Sequence, residues 1–373
     1  MQLKKIKIIH FITTLGVGGA EKVLFNLIKN NKDRNLEHEI ICLNKGGLIK
    51  KKIKKLNVKV ICLNLEENFV KGIFTCFNYI KGIKQKNNTV IQTWLPHADL
   101  IGGLISKFCG FNKIIWNIRI SNFTTGSFKI KTFLVVIING ILSYFIPKKI
   151  ISCSVAGIKS HISLGYNKNL FYLIHNGFNK KKILKRSFKF SKKFTIGIFS
   201  RYHKVKNHLY LFKALNILKN KKYEFKLLLL GPNIDIQNKR LLKDIKINNI
   251  YDEVIFVKKK GILDISKYFS YLDLYILCSK TEGFPNVLGE AIINGVNVLS
   301  TDVGDAKLMV PCKKNIIYKS DVIEFSKKIE VFAQLYDFKK SRKNILKKNS
   351  LTFYKKFSQN KMLYKYQKLW KTI

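Results

Sequence analysis

The sequence predicts an α/β chain built from two doubly wound, Rossmann-like domains that face each other across a cleft. Three observations predict it. Short apolar runs of strand length alternate with amphipathic helical segments over most of the chain. The alternation pauses once, over 179–193, and then restarts. Finally, 373 residues exceed the size at which a single hydrophobic core usually stops growing. Ligands of such sheets bind beyond the carboxyl ends of the strands, so the space between two such domains is the expected site.

In the first half, apolar runs place strands at 6–11, 39–43, 58–63, 89–92, 113–116, 150–153 and 171–174. Helices fall between them, for example at 21–29 and 99–108. Residues 179–193 are rich in Lys and Ser and lack period, which reads as a linker between a domain over 1–178 and another over 194–352. Strands resume at 195–199, 225–230, 254–257, 274–277 and 296–300, with helices at 208–218 and 286–294. The remainder, 321–373, reads as helical and basic.

A hydrophobic content of 47% with five prolines is globular rather than disordered. The net charge is +48, from 70 Lys and Arg against 22 Asp and Glu. Three readings of it stand: nucleic acid, an anionic membrane surface, or a compositional bias toward Lys, Ile and Asn. The lysines are spread along the chain rather than gathered in a tail, which favours bias first and membrane second. No RNP-like aromatic and basic platform appears, so no nucleic-acid partner is expected. The seven cysteines include no C-x-x-C pair and read as small buried hydrophobes in a reducing compartment.

Lys4 and Lys5 before an apolar run imitate a signal peptide, but His10, Thr13 and Thr14 interrupt the run, and a strand, loop and helix explain it better. The longest apolar run, 133–146, is broken by Asn139, Gly140, Ser143 and Tyr144. It falls short of the roughly 20 residues that span a bilayer, so it reads as a buried or interfacial helix. Residues 48–56 form a basic amphipathic helix candidate, with apolar 48, 49, 53 and 56 on one face and lysines on the other. It either rests on an anionic leaflet or covers the sheet as an ordinary surface helix.

Four strand ends carry chemistry. Thr14-Leu15-Gly16-Val17-Gly18-Gly19-Ala20-Glu21 joins the first strand to the first helix, where Gly18 and Gly19 allow close backbone approach to a ligand. His97 follows the strand at 89–92 beside Pro96; its imidazole suits a sugar hydroxyl, or it caps a helix. After the strand at 195–199, Arg201 offers a planar fork and Lys206 a mobile point charge; both suit a diphosphate, or they line a solvated basic loop. After the strand at 274–277, Glu282 and Glu290 flank Gly283, Phe284, Pro285 and Asn286. Carboxylates accept from hydroxyls, while backbone amides at a helix N-terminus receive anionic oxygen. A nucleotide-sugar carries both.

Together these segments resemble the retaining GT-B glycosyltransferases of the family 4 type over nearly the whole chain. Glu282 to Glu290 resembles the family's E-x7-E motif, which implies that Glu282 lies against the donor sugar, that Glu290 holds the nucleotide ribose, and that the backbone of Gly283 to Asn286 follows the sugar and diphosphate. Arg201 and Lys206 resemble the Arg/Lys pair on the donor diphosphate, Gly18-Gly19-Ala20-Glu21 the Gly-Gly-Ala-Glu loop, and His97 the histidine facing the donor sugar. His175-Asn176-Gly177 resembles the Asn-Gly turn before the linker. The resemblance implies that a C-terminal helix, 353–373, crosses back to the first domain. One departure is Gly304-Asp305-Ala306-Lys307, where many members carry a Gly-Gly pair and a later Glu.

The resemblance further implies metal-independent transfer with no cofactor. The donor is expected to be UDP-linked, carrying a hexose or N-acetylhexosamine. The acceptor is expected to be a polyprenyl-diphosphate-linked saccharide in surface polysaccharide or glycan biosynthesis, which puts the chain on the cytoplasmic face of the membrane as a peripheral protein. A GT-B enzyme on soluble acceptors, a nucleotide-sugar epimerase and, further off, a basic RNA-binding protein remain as alternatives.

Overall fold

A computed structural model describes residues 5–121, 123, 130–180, 183, 185, 187–257, 265–318, 321–336 and 339–373. The chain forms two compact units, Met1–Gly177 with Gln359–Ile373, and Phe178–Ser358. Each is a parallel sheet covered by helices, so the expected class of two Rossmann-like units holds.

The first unit has strands β1 (Ile6–Ile12), β2 (Leu36–Cys42), β3 (Lys59–Cys62), β4 (Thr89–Trp94), β5 (Ile114–Ile118), β6 (Lys149–Ser152) and β7 (Phe171–Leu173). Helices α1 (Gly19–Asn30), α2 (Leu48–Lys54), α3 (Phe69–Lys81), α4 (Pro96–Phe108), α5 (Ile130–Leu142) and α6 (Val155–Ile162) connect them. The sheet order is β3-β2-β1-β4-β5-β6-β7, all parallel. The order reverses between β1 and β4, and that switch point is where an open α/β sheet leaves a crevice at its carboxyl edge. The central strands are buried on both faces, which is why they read as unbroken apolar runs.

The second unit has β8 (Phe194–Phe199), β9 (Phe225–Leu230), β10 (Val254–Phe256), β11 (Leu274–Leu277), β12 (Asn297–Thr301) and β13 (Ile316–Ile317) in the order β10-β9-β8-β11-β12-β13. Its helices are α7 (His208–Asn220), α8 (Lys239–Ile247), α9 (Ser266–Phe269), α10 (Asn286–Ile293), α11 (Ala306–Met309), α12 (Val322–Gln334) and α13 (Lys339–Lys356). The switch point here lies between β8 and β11. The last helix, α14 (Gln359–Thr372), belongs to the first unit, where Trp370 donates to Gln92 and Asn117 donates to the Tyr366 hydroxyl at 2.9 Å.

The structure adds to three of the sequence readings. The described residues of 179–193, read as a linker from composition, pack on the second unit: Ser187 N–H donates to Ser270 O at 2.8 Å, and the Phe190 ring meets Tyr271 edge-on. Helix α2 turns Ile49 and Ile53 into the core and shows lysines to solvent, so of its two readings the ordinary surface helix that covers the sheet fits. Cys312 is exposed, unlike the largely buried others.

Candidate functional site

In the second unit the loop after β8 and the loop after β11 are the adjacent strand ends of the switch point. They are fastened to each other. Lys280 N–H donates to Val205 O at 2.8 Å, and the buried Cys278 thiol lies 3.2 Å from Lys206 O. Asn207 takes a left-handed conformation with φ 55°, which ends the short turn Lys204–Lys206 and starts α7. This fastening fixes where Lys206 emerges. Its Nζ donates to Glu282 Oε1 at 2.5 Å, and Ser279 Oγ donates to the same oxygen at 2.7 Å. Both ionic side chains are partly buried, at 23% and 15% exposure, where the pair is screened less than on an open surface.

The loop behind Glu282 is clamped from β12. Gly304 has φ +53°, and a Cβ built there would stand 2.3 Å from Gly283 O and 2.4 Å from Glu282 O. Only glycine lets these two backbones approach so closely. Asp305 N–H then donates to Gly283 O at 2.8 Å. Phe284 turns its side chain inward, toward Phe178 and Phe357, so this residue offers a ligand its backbone alone. Pro285 precedes α10, whose first residue is Asn286. On α10, Leu288, Gly289, Ala291, Ile292 and Ile293 are buried, leaving Asn286, Val287 and Glu290 on one partly exposed face.

Arg201 is exposed at the end of β8. Burial, then Arg201, Lys206 and Lys204 in turn, hold the His203 imidazole below its ordinary value, so the loop is a cationic cluster. A cavity of about 540 Å³ opens beside the same loop, lined by Tyr202, His203, Lys204, Asn207 and Lys280 among others. Arg201, Lys206 and Glu282 do not line it.

In the first unit, Gly18 and Gly19 are exposed where α1 begins. Glu21, in the first turn, accepts from Thr14 Oγ1 at 2.9 Å, and a Cβ on Gly18 would lie 2.3 Å from that carboxylate. His97 sits in the first turn of α4, half-buried, and burial lowers its imidazole below the ordinary value. Leu95, just before it, has φ 77°, a backbone strain that side chains rarely accept and that clusters at functional sites. Nearby strand ends carry a network that sequence reasoning left out. Arg119 donates to Asn176 and to the Tyr366 hydroxyl at 2.8 Å, and its guanidinium lies 4.9 Å from the Trp94 ring centroid. Only Asn176, in the Asn-Gly turn, gave a signal for it.

The strand ends thus bring Lys206 and Glu282 together. Gly18, Gly19 and His97 gather at the equivalent edge of the first unit. Sequence reasoning passed over Ser279 and the grip of Gly304; the glycine after Asp302-Val303 was the one available hint. Among the described residues, no group of three or more His, Cys, Asp or Glu could hold a metal ion.

Residues 179–352 match the family described as glycosyl transferases group 1. This matched segment lies wholly within the second unit. It contains Arg201, Lys206, Glu282 and Glu290, the candidate site residues of the second unit. Protein CapJ of Staphylococcus aureus is 33% identical over 152 residues, which span 38% of this chain and 37% of that protein. The crystal structure of HepE from Anabaena in complex with UDP and glucose covers 99% of this chain and 100% of its own, at 17% identity and a TM-score of 0.81. Staphylococcus aureus TarM, solved in complex with fondaparinux, alpha-GlcNAc-glycerol and UDP, covers 99% and 100% at 14% identity and a TM-score of 0.72. The group 1 domain therefore sits in a chain of GT-B architecture throughout.

Proposed function

We propose that this protein is a retaining glycosyltransferase that moves a hexosyl or N-acetylhexosaminyl group from a UDP-sugar to a lipid-linked saccharide in surface polysaccharide or glycan biosynthesis. The observation that carries the reading is the Lys206–Glu282 pair, at the switch point of the group 1 domain and just before α10. A carboxylate there accepts from sugar hydroxyls. An ammonium beside it meets the diphosphate, on which negative charge grows as the glycosidic bond breaks, so it stabilises the transition state more than the ground state. In the balanced step, the bond from the anomeric carbon to the β-phosphate oxygen breaks and a bond to the acceptor oxygen forms. The acceptor's hydroxyl proton passes to the leaving phosphate, and UDP departs.

Arg201 and Lys206 take the electrostatic role without a metal, Glu290 and the backbone of Gly283 to Asn286 hold the nucleotide and sugar, and Gly18, Gly19 and His97 complete the donor site. UDP is the favoured nucleotide because HepE and TarM were solved with it. The acceptor is a polyprenyl-diphosphate-linked saccharide, and the enzyme works as a peripheral protein on the cytoplasmic face of the membrane. The test is thermal shift with UDP- and GDP-sugars, followed by transfer to such an acceptor. Stabilisation by one UDP-sugar and a lipid-linked product are expected; indifference to every nucleotide-sugar would overturn the proposal.

A further inference from the structure

Helix α5 is amphipathic the wrong way round for a surface helix of a soluble domain. Such a helix turns its apolar stripe to the core. Here Val136, Asn139 and Gly140 face inward: Asn139 Nδ2 donates to Pro96 O at 2.9 Å, and a Cβ on Gly140 would stand 2.6 Å from Leu164 O. The outward stripe is Ile130, Leu134, Ile138 and Ile141, continued by Phe145 just past the helix, with exposures from 44% to 75%. These positions recur at spacings that keep them on one side of a 3.6-residue helix. Phe108, at the end of the neighbouring helix α4, is 81% exposed.

Charge says what covers this face. No Asp or Glu occurs between Asp99 and Glu224, so α5 and everything around it in sequence is cationic or neutral. Lys131 and Lys148 are exposed close to the two ends of the stripe. A second copy would bring an equally basic face, and a chain of net charge +48 repels itself. Nucleic acid would meet the lysines but leave the aliphatic stripe in water. An anionic bilayer satisfies both, taking the stripe at its acyl boundary and the lysines at its headgroups. Among the described residues no helix is long and apolar enough to cross a membrane, so α5 would lie in the interface plane.

We propose that α5 is the membrane-docking surface of this protein and that its partner is an anionic phospholipid leaflet. The proposal gives the lipid-linked acceptor reading above its contact surface, and it names α5 in place of α2. The experiment is flotation of the full chain with vesicles of phosphatidylcholine alone or mixed with phosphatidylglycerol. The wild type is expected to float with the anionic vesicles and not with the neutral ones. A variant carrying L134E, I138E and I141E should lose about tenfold or more of that binding, with its melting temperature and UDP-sugar hydrolysis unchanged. A variant carrying K51S, K52S and K54S on α2 should keep most of it. The proposal is overturned if the α5 variant floats like the wild type, if neutral vesicles bind equally well, or if sedimentation shows a dimer that the α5 variant breaks while lipid binds neither form. Flotation without transfer to any acceptor would support the surface and count against the acceptor reading alone.

Discussion

The ammonium of Lys206 lies 2.5 Å from the carboxylate of Glu282, although 76 residues separate them in the chain. The pair exists because β8 and β11 are neighbours in the sheet and the loops beyond them are fastened by Lys280 N–H to Val205 O. A diphosphate arriving at this edge would compete with Glu282 for Lys206, and a sugar hydroxyl would compete with Lys206 for Glu282. On the function proposed above, the reaction uses these two groups separately.

Lys206→Ala should lower donor turnover about 100-fold or more, the usual cost of removing one preorganised charge from a transition state. Its melting temperature should stay near that of the wild type, because the fastening of the loop runs through backbone atoms. Steady-state turnover of purified protein with UDP-sugar is the check; near-normal turnover would remove Lys206 from the mechanism.

Glu282→Ala should match that loss, whereas Ser279→Ala should cost about fivefold, since it removes one neutral hydrogen bond to a carboxylate that keeps its ammonium partner. The two variants measured side by side separate contact with the donor from support of that contact.

Gly304→Ala should destabilise the protein by about 1–3 kcal/mol through its left-handed backbone conformation and the collision of the new Cβ with the carbonyl oxygens of Glu282 and Gly283. Because the collision moves the loop that carries Glu282, turnover should fall as well. Denaturant unfolding and turnover of the same sample test both; a change in stability alone would show that the loop recovers its place.

Asp99 is buried, and burial pushes its carboxyl from 3.8 up to about 7 against the hydrogen bonds from Thr93 and the Asn117 backbone. Between pH 3.8 and about 7 the folded state holds a proton that the unfolded state has released. The stability from this group thus falls as pH rises through that window and is lost above it. Asp99→Asn should melt close to the wild type at pH 4 and about 4 °C or more above it at pH 8. Parallel melting curves across this range would sink the idea.

Transfer should persist after dialysis against EDTA, since Arg201 and Lys206 are assigned the charge that a divalent cation would carry. Loss of activity on chelation, restored by magnesium or manganese, would refute that assignment.

Much of the frame was legible in the sequence. Strands such as 225–230 and 274–277 appeared as apolar runs because their residues are buried on both faces. β13 escaped because two residues, Ile316 and Ile317, carry no period. The segment 179–193 shows no period for a related reason: its described residues pack on the second unit through single anchors such as Ser187 and Phe190. Glu282, Lys206 and Arg201 stood out as candidates by their place after strands. Ser279 and Gly304 did not, because their roles consist of contacts with a loop many residues away.

The sequence by itself determined the class of fold, the strand ends at which polar residues collect, and the extreme positive charge. Periodicity can do this because it records which residues share one side of an element. It does not record which side is covered. Only the tertiary structure decided that α2 hides its isoleucines while α5 shows its own, and that Lys206 meets Glu282. Those outcomes depend on which elements become neighbours, and neighbours are set by the crossing order of the sheets rather than by any local run of residues.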